Sequence, residues 1–209
     1  MSDETGTGGE TRKRVRRSRA ERAHENREAL LNAAADVVGE SGYEGATIVE
    51  VTRRAGLSPG SFYQYFESRE DLFHQLLPAV GEKLLAVLAQ SSHDAPDAVE
   101  SEARAIRAYF DFLRSGSPIM RVFREAEIYA PDTHAAYLDD VLDRYQRNLL
   151  RRKEAGEFAA FDRDELMAVA LLLTTARVEF MRFMPQGTGD SDWIETVFVK
   201  IVRQLARGD

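Results

Sequence analysis

The chain has 209 residues, of which 44% are hydrophobic and 30% are charged, and its formal net charge at pH 7 is −7. It contains no cysteine, which excludes disulfide bonds, thiolate nucleophiles and cysteine-based zinc sites and fits a reducing cytoplasm. The N-terminus lacks the apolar stretch of a signal peptide, and the longest apolar run, residues 167–176, is about half the length of a membrane span. We therefore expect a soluble, cytoplasmic protein with no membrane partner.

The first 18 residues are polar and basic, and we expect them to form a disordered arm in the absence of a partner. Eight basic residues lie between Arg12 and Arg27, against only Glu21 and Glu25. The chain from Asp71 onwards carries 17 basic and 23 acidic residues, so a basic arm precedes an acidic body. Two interpretations stay open: the arm is a solvated tail, or it makes nonspecific contacts with nucleic-acid phosphates.

From residue 19 onwards the sequence predicts one helix after another, without the period-two alternation that indicates a sheet. Apolar residues spaced three and four apart predict a first helix at about residues 20–41, and Gly42 is its expected stop. Thr47 and Glu50 have the spacing of a capping box, which begins a short second helix that ends near Ala55.

A third helix is predicted to begin immediately afterwards. Ser58 is its expected N-cap, and Pro59 occupies the first helical position, where a missing N–H is harmless. Phe62 and Phe66 lie four residues apart and are expected to face inward. Two short helices joined by a Gly-Leu-Ser turn are typical of a helix-turn-helix, here at about residues 47–66.

Further helix starts follow along the rest of the chain. Ser68 caps a fourth helix that is expected to run to about Gln90, and a last helix with a wide apolar stripe opens at residues 189–192. Four more starts occur at residues 94–96, 117–118, 131–132 and 162. The predicted fold class is all-α with nine helices, divided into a basic arm at 1–18, a three-helix domain at 19–67 and a six-helix domain at 68–209.

The stretch from Gly45 to Leu72 resembles the DNA-binding domain of the TetR family. In that family a Thr opens the second helix, an Ala-Gly-hydrophobic-Ser turn follows, and the recognition helix reads Gly-Ser/Thr-hydrophobic-Tyr-x-Tyr/His-Phe. Here the turn is Ala55-Gly56-Leu57-Ser58 and the recognition helix opens with Gly60-Ser61-Phe62-Tyr63. The resemblance covers about residues 27–75, and the rest matches in architecture only. It implies a dimeric transcriptional regulator, most readily a repressor, that binds a palindrome-like operator in double-stranded DNA.

The chemistry of this segment agrees with DNA binding. Gly60 permits close approach of the backbone, and the amides at the helix start offer donors to a phosphate. Tyr63 supplies a hydroxyl for phosphate, whereas Gln64 is the best candidate for reading a base edge, adenine being its usual partner. Pro59 offers no side-chain hydrogen bond, although many relatives have a polar residue there. The predicted DNA-binding residues are Thr47, Ser58, Pro59, Gly60, Ser61, Tyr63, Gln64, Tyr65 and Arg69.

Several of the polar positions have a second interpretation. Thr47 and Ser58 can be helix caps, DNA contacts or both. Tyr65 can be a packing residue at the edge of the core. Arg53 and Arg54 are either phosphate contacts or solvated surface residues.

In TetR-like proteins the last two helices form a dimer interface and the middle helices enclose an effector pocket. The apolar stripes of residues 164–184 and of the last helix agree with dimerisation, or else both are buried inside the monomer. Aromatic and apolar residues of the middle helices line a pocket for an apolar or amphipathic small molecule, or form ordinary core. The candidate ligand-binding residues are Tyr109, Leu113, Met120, Phe123, Arg124, Tyr137, Arg177 and Phe180.

An enzyme and a helical adaptor that binds only protein are the alternatives. The four histidines are scattered, with no spacing typical of a metal site, and the glycines at 6–9 follow no strand that would make them a nucleotide-binding loop. The acidic cluster at 162–165 fits a helix cap and a first-turn dipole preference. We therefore expect no catalysis, no cofactor and no metal. A protein-binding adaptor would not require the polar residues at 58–66, which we call the recognition segment.

Overall fold

The computed structural model describes residues 18–183 and 192–208. The predicted arm, apart from Ser18, and the predicted opening of the last helix at 189–191 lie outside the described residues. Within the two described stretches the backbone forms nine α-helices and no strand, which confirms the all-α fold class. The helices are α1 (Arg19–Gly45), α2 (Ile48–Ala55), α3 (Pro59–Phe62), α4 (Arg69–Ser92), α5 (Ala98–Arg114), α6 (Ile119–Tyr129), α7 (Pro131–Glu154), α8 (Arg163–Phe183) and α9 (Asp192–Arg207).

Local sequence determines where the first two helices begin. The Ser18 hydroxyl accepts from the Glu21 N–H at 3.1 Å, while the Glu21 carboxylate accepts from the Ser18 N–H at 2.7 Å. At α2 the predicted capping box is only half formed. Thr47 accepts from the Glu50 N–H at 3.2 Å, but the Glu50 carboxylate binds Arg53 instead of the Thr47 N–H. The Glu50 carboxylate therefore pairs with Arg53, one turn further along α2, and the capping box stays incomplete.

α1 is interrupted close to its end, at Gly42. This residue has φ 79° and ψ 177°, a backbone conformation that is essentially restricted to glycine. The helical geometry therefore breaks where the sequence predicts a stop, and one further turn of helix extends the element to Gly45.

Side chains of α6 hold the interrupted end of α1. Arg121 donates to the carbonyl of Glu40 at 2.9 Å, and the Glu125 carboxylate accepts from the Tyr43 N–H. The ring of Tyr43 stacks on that of Tyr129, with centroids 3.9 Å apart and nearly parallel planes. These contacts attach the N-terminal helices to the rest of the bundle.

α4 is the central helix of the fold. Its N-cap, Ser68, accepts from the Asp71 N–H at 3.1 Å, and the helix ends at Ser92, close to the predicted end. Among the described residues it is the one helix long and apolar enough to cross a membrane, but it packs against α1, α5, α6 and α7, which indicates a core helix. α8 packs on α7, and α9 packs on α5. The domain boundary at 67/68 stays a prediction.

We expect Gly42→Ala to lower the free energy of unfolding by about 1–3 kcal/mol, because alanine is strained in this conformation. Its Cβ would also lie 2.6 Å from the Arg121 guanidinium and 2.8 Å from the Glu125 carboxylate. Urea unfolding followed by circular dichroism measures the loss. Ser41→Ala, at the exposed neighbouring position, is the control and should change the free energy by less than about 0.5 kcal/mol. Equal effects of the two substitutions would contradict backbone strain at Gly42.

Candidate nucleic-acid interface and ligand cavity

Two buried phenylalanines anchor the recognition segment. Phe62 and Phe66 are almost fully buried, with ring centroids 5.5 Å apart, which confirms the prediction that both face inward. α3 is a single turn, after which the N–H groups of Tyr65 and Phe66 donate to the Phe62 carbonyl at 2.9 and 3.1 Å. The α-helix ends at Phe62 and is shorter than the predicted recognition helix, but the residues that follow are held on the core by the buried Phe66.

Ser58 caps α3 as predicted. Its hydroxyl accepts from the Ser61 N–H at 3.2 Å and lies 2.8 Å from the Ser61 hydroxyl, and Pro59 follows at the first helical position. Thr47 caps α2 in the same way. The side chains of Thr47 and Ser58 are both exposed, so their capping role leaves room for a DNA contact.

The tip of the recognition segment is open to solvent. Pro59, Gly60, Tyr63 and Gln64 are all exposed, and Ser61 is partly exposed. Tyr63 is 63% exposed although the Phe62 ring packs against it edge-on at 5.4 Å. The polar ends of Tyr63 and Gln64 are therefore accessible to a duplex without rearrangement of the scaffold.

Two predicted DNA-binding residues have polar partners inside the protein. The Tyr65 hydroxyl accepts from Asn26 Nδ2 at 2.9 Å. Arg69 donates from Nε to the Ala46 carbonyl at 3.0 Å and also to the Tyr43 carbonyl, with its guanidinium 4.3 Å above the Tyr43 ring. The packing alternative given for Tyr65 agrees with its contact to Asn26, and the contacts of Arg69 inside the protein were not predicted. A contact of either side chain with DNA stays a prediction.

The two arginines of α2 are each paired with a carboxylate. Arg53 donates to both oxygens of Glu50 at 2.8 and 2.6 Å, and Arg54 donates to both oxygens of Glu40 at 2.6 and 2.7 Å. These hydrogen bonds hold the pKa of Glu50 and of Glu40 below the ordinary value for a glutamate. A phosphate that binds either arginine must compete with a bidentate partner.

Val49 is an exposed residue of α2 that the sequence analysis missed. Its side chain is 65% exposed, whereas Val51 and Thr52 are buried. Helical periodicity could have identified it, because Val49 lies outside the arc of buried positions of this surface helix. An exposed apolar side chain in this position can contact a thymine methyl group.

A cavity of about 280 Å³ lies among α4, α5, α6, α7 and α8. Four of the eight predicted ligand-binding residues line it, namely Tyr109, Phe123, Tyr137 and Arg177. The other four, Leu113, Met120, Arg124 and Phe180, lie outside its wall. Sequence analysis missed the wall contributed by α4, whose apolar residues are Leu84, Leu85, Leu88 and Ala89.

The predictions outside the wall have identifiable reasons. Arg124 is exposed, because the buried face of α6 is formed by Val122, Phe123 and Ala126. Phe180 packs between other aromatic rings of the core, with centroid distances of 6.1 Å to both Phe110 and Phe198. Leu113 is buried and Met120 is partly buried in the surrounding core. Helical spacing alone could not separate cavity wall from core.

A buried ion pair joins two sides of the cavity. Arg177 of α8 donates to the Glu102 carboxylate of α5, and the side chains are only 12% and 8% exposed. The Arg177 guanidinium lies 4.7 Å from the ring centroids of both Tyr145 and Phe198. The Tyr109 hydroxyl donates to the Arg177 carbonyl at 2.7 Å. Burial disfavours the charge of Arg177, but the Glu102 carboxylate more than compensates and raises the pKa of Arg177.

Tyr145 lines the cavity, but its hydroxyl is buried away from the accessible surface and lies close to Arg177 and Glu102. Burial raises the pKa of Tyr145 well above the ordinary value for a tyrosine, and the nearby Glu102 carboxylate adds to the rise. The hydroxyl is therefore protonated at neutral pH and able to donate.

α8 and α9 each have an apolar face that stays exposed. One face of each helix is in the core, through Leu166, Ala170, Phe198 and Val202 among others. The exposed apolar residues include Leu172 at 69% and Trp193 at 66%. Among the residues of the two helices whose side chains the structure describes, the exposed large apolar ones are Met167, Leu171, Leu172, Trp193, Val197 and Ile201. Burial inside the monomer therefore accounts for only part of the two predicted stripes.

The chain is similar to known bacterial proteins along most of its length. The family model described as "Bacterial regulatory proteins, tetR family" matches residues 30–76. Nucleoid occlusion factor SlmA of Haemophilus influenzae is 25% identical over 168 residues, covering 77% of this chain and 76% of that protein. The HTH-type transcriptional regulator BetI of Rhizobium meliloti is 34% identical over 112 residues, which are 54% of this chain and 48% of BetI. A solved TetR-family transcriptional regulator from Rhodococcus has a TM-score of 0.74 at 17% identity, covering 88% of this chain and 99% of that one.

We expect Arg177→Met to lower the free energy of unfolding by about 3–5 kcal/mol, because it leaves the Glu102 carboxylate buried without its partner. The double variant Glu102→Leu/Arg177→Met removes both charges and should recover most of that loss. Urea unfolding of the wild type, both single variants and the double variant measures the coupling free energy. Losses that simply add in the double variant would contradict a mutually dependent pair.

Proposed function

We propose that the chain is a transcriptional regulator of the TetR family, whose model matches residues 30–76, and that it is a repressor released from its operator by a small ligand. It would bind a palindrome-like site in double-stranded DNA as a homodimer. The observation that carries the proposal is the exposed polar tip of the recognition segment, held on a buried aromatic anchor. We propose no catalytic activity, because the fold is that of a DNA-binding regulator.

Recognition of DNA would combine phosphate and base contacts. The amides around Gly60 and the hydroxyl of Tyr63 suit phosphates, whereas the amide of Gln64 suits an adenine edge. Because Arg53 and Arg54 of α2 are paired with carboxylates, Gln64 and Val49 would make most of the contacts with DNA bases. Additional phosphate contacts would come from the basic arm at residues 1–18, which would make binding strongly dependent on salt.

Dimerisation would use the exposed apolar face of α8 and α9. Two such helices from each protomer can pair as a four-helix bundle, which removes Leu172, Trp193 and their neighbours from water. A two-fold dimer also presents two recognition segments to half-sites about 34 Å apart, as a palindrome requires.

A ligand in the cavity would affect DNA binding through α4 and α6, because each of these helices contacts both the cavity and the N-terminal DNA-binding region. α4 begins at Arg69, immediately after the recognition segment, and also forms a wall of the cavity. α6 lines the cavity through Phe123 and holds the end of α1 through Arg121 and Glu125. A ligand that binds the DNA-free arrangement more tightly would shift the equilibrium by that difference in affinity.

Gel shifts test the DNA-binding surface, with the DNA upstream of the chain's own gene and a randomised duplex pool as probes. We expect salt-sensitive binding by the wild type and a loss of at least about tenfold in Tyr63→Ala/Gln64→Ala, since a phosphate and a base contact are removed together. Gln90→Ala, an exposed glutamine at the far end of α4, is the matched control and should bind within about twofold of the wild type. An absence of binding, or equal binding by the double variant, would favour the protein-binding adaptor.

Analytical ultracentrifugation tests the dimer. We expect Leu172→Glu to shift the wild-type dimer towards monomer and to weaken operator binding, because a buried carboxylate would disrupt the apolar interface. Ile128→Glu is the control, since Ile128 is exposed on α6, away from α8 and α9. A wild type that sediments as a monomer, or two variants with the same effect, would contradict the proposed interface.

A further inference from the structure

Tyr63 and Gln64, the two exposed polar residues proposed to contact DNA, lie in turns that follow the end of α3. A turn lacks the ladder of hydrogen bonds between residues four apart that fixes the direction of side chains along a helix. The buried rings of Phe62 and Phe66 attach this part of the chain to the core, but apolar contacts are not directional. Directional contacts of the neighbouring residues therefore set the angle at which Tyr63 and Gln64 leave the surface.

α1 supplies two such contacts just beyond these residues. Asn26 Nδ2 donates to the Tyr65 hydroxyl at 2.9 Å, and both side chains are partly buried. The guanidinium of Arg27, the next residue of α1, lies 5.7 Å from the centroid of the Phe66 ring. Consecutive residues of α1 thus hold consecutive residues at the end of the recognition segment.

A chain of hydrogen bonds holds the backbone where the recognition segment ends. The Asp71 carboxylate accepts from the Glu67 N–H at 2.9 Å with one oxygen and from Gln75 Nε2 at 2.7 Å with the other. The side-chain carbonyl of Gln75 in turn accepts from Arg27. The chain runs from α1 through α4 to the backbone, and its three side chains are partly buried. We call Asn26, Arg27, Asp71 and Gln75 the polar frame.

Base reading and phosphate contact place different demands on this geometry. A hydrogen bond to a base edge needs the reading side chain within about 0.5 Å of its best position. Phosphate contacts carry no sequence information, and the attraction between charges changes little over a displacement of that size. Loss of the polar frame should therefore reduce the discrimination between DNA sequences more than it reduces the total affinity.

We propose that the polar frame orients Tyr63 and Gln64 for reading DNA, and that its members are positioning residues that do not contact the duplex themselves. The Tyr65 hydroxyl acts in the same way, through its hydrogen bond with Asn26. This inference rests on the DNA-binding function proposed above and deepens it, because it assigns part of the sequence discrimination to residues of α1 and α4.

Fluorescence anisotropy at a fixed salt concentration tests the bond between Asn26 and Tyr65. The two probes are the duplex that the wild type selects from a randomised pool and a shuffled duplex of the same length and composition, and the ratio of the two affinities measures discrimination. Asn26→Ala and Tyr65→Phe should each lower this ratio by about fivefold, and the double variant should lower it no further, since both remove one hydrogen bond. Asn26→Asp, which can accept from the Tyr65 hydroxyl, should keep the ratio within about twofold of the wild type.

The same measurement on Asp71→Asn tests the chain of hydrogen bonds. An amide accepts at only one of the two positions, so the bond to Glu67 N–H or the bond to Gln75 is lost. The ratio should fall by about fivefold, even though removal of a negative charge favours binding to any duplex. Glu67→Gln is the matched control, because it removes the same charge from an exposed side chain beside the frame, and it should keep the ratio within about twofold.

Each outcome separates this inference from its alternatives. Urea unfolding of every variant measures stability, and a loss of stability alone would leave the ratio unchanged, because the same folded molecules bind both duplexes. An unchanged ratio in Asn26→Ala and Asp71→Asn would overturn the inference and leave DNA binding in place. Equal weakening of both duplexes by Tyr65→Phe, with no effect of Asn26→Ala, would also overturn it and assign the hydroxyl to a phosphate. A wild type that binds no duplex would overturn the proposed DNA-binding function and this inference together.

Discussion

The C-terminal bundle depends on one buried ion pair. A guanidinium and a carboxylate can leave water together only where the pair is close and the remaining donors find partners. Four helices meet this condition around Arg177 of α8: α5 supplies Glu102, α7 supplies the ring of Tyr145, and α9 supplies the ring of Phe198. α5 and α8 cannot slide past one another without leaving a charge unpaired, and α7 and α9 cannot shift without losing their ring contacts with the guanidinium, so the pair fixes the register of these helices and thereby the shape of the cavity.

The helices of the N-terminal region could be predicted because short-range chemistry determines their ends. Ser58 and Ser68 accept from the N–H three residues on, and Gly42 has a conformation that other residues avoid. The inward direction of Phe62 and Phe66 follows from their spacing, which places them on the same side as the core. Each of these features is decided within about four residues of the chain, a distance over which a single sequence is informative.

The cavity could be predicted only in part, because contacts between distant residues define it. Glu102 is a charged residue on an otherwise ordinary amphipathic helix, and its burial depends on a partner 75 positions away. Arg124 looks equally suitable as a polar anchor, but the phase of α6 turns it towards solvent. The half-formed capping box at Thr47 is a local case, since the Glu50 carboxylate binds Arg53 of the same helix and not the Thr47 N–H. For Glu102 and Arg124 the local sequence leaves the outcome open, and packing between helices decides it.

Because α4 is long, a small tilt at its cavity end moves its other end by a larger distance. Leu84 in the cavity wall lies 15 positions beyond Arg69, and at about 1.5 Å per residue the two are separated by about 22 Å along the axis. A tilt of about 5° about the cavity end would then displace the recognition segment by about 2 Å. In the proposed two-fold dimer the displacement would occur in both protomers, so the separation of the two recognition segments would change by up to about 4 Å against a half-site spacing of about 34 Å. A small ligand in the proposed effector cavity would then be able to disrupt the fit to the duplex.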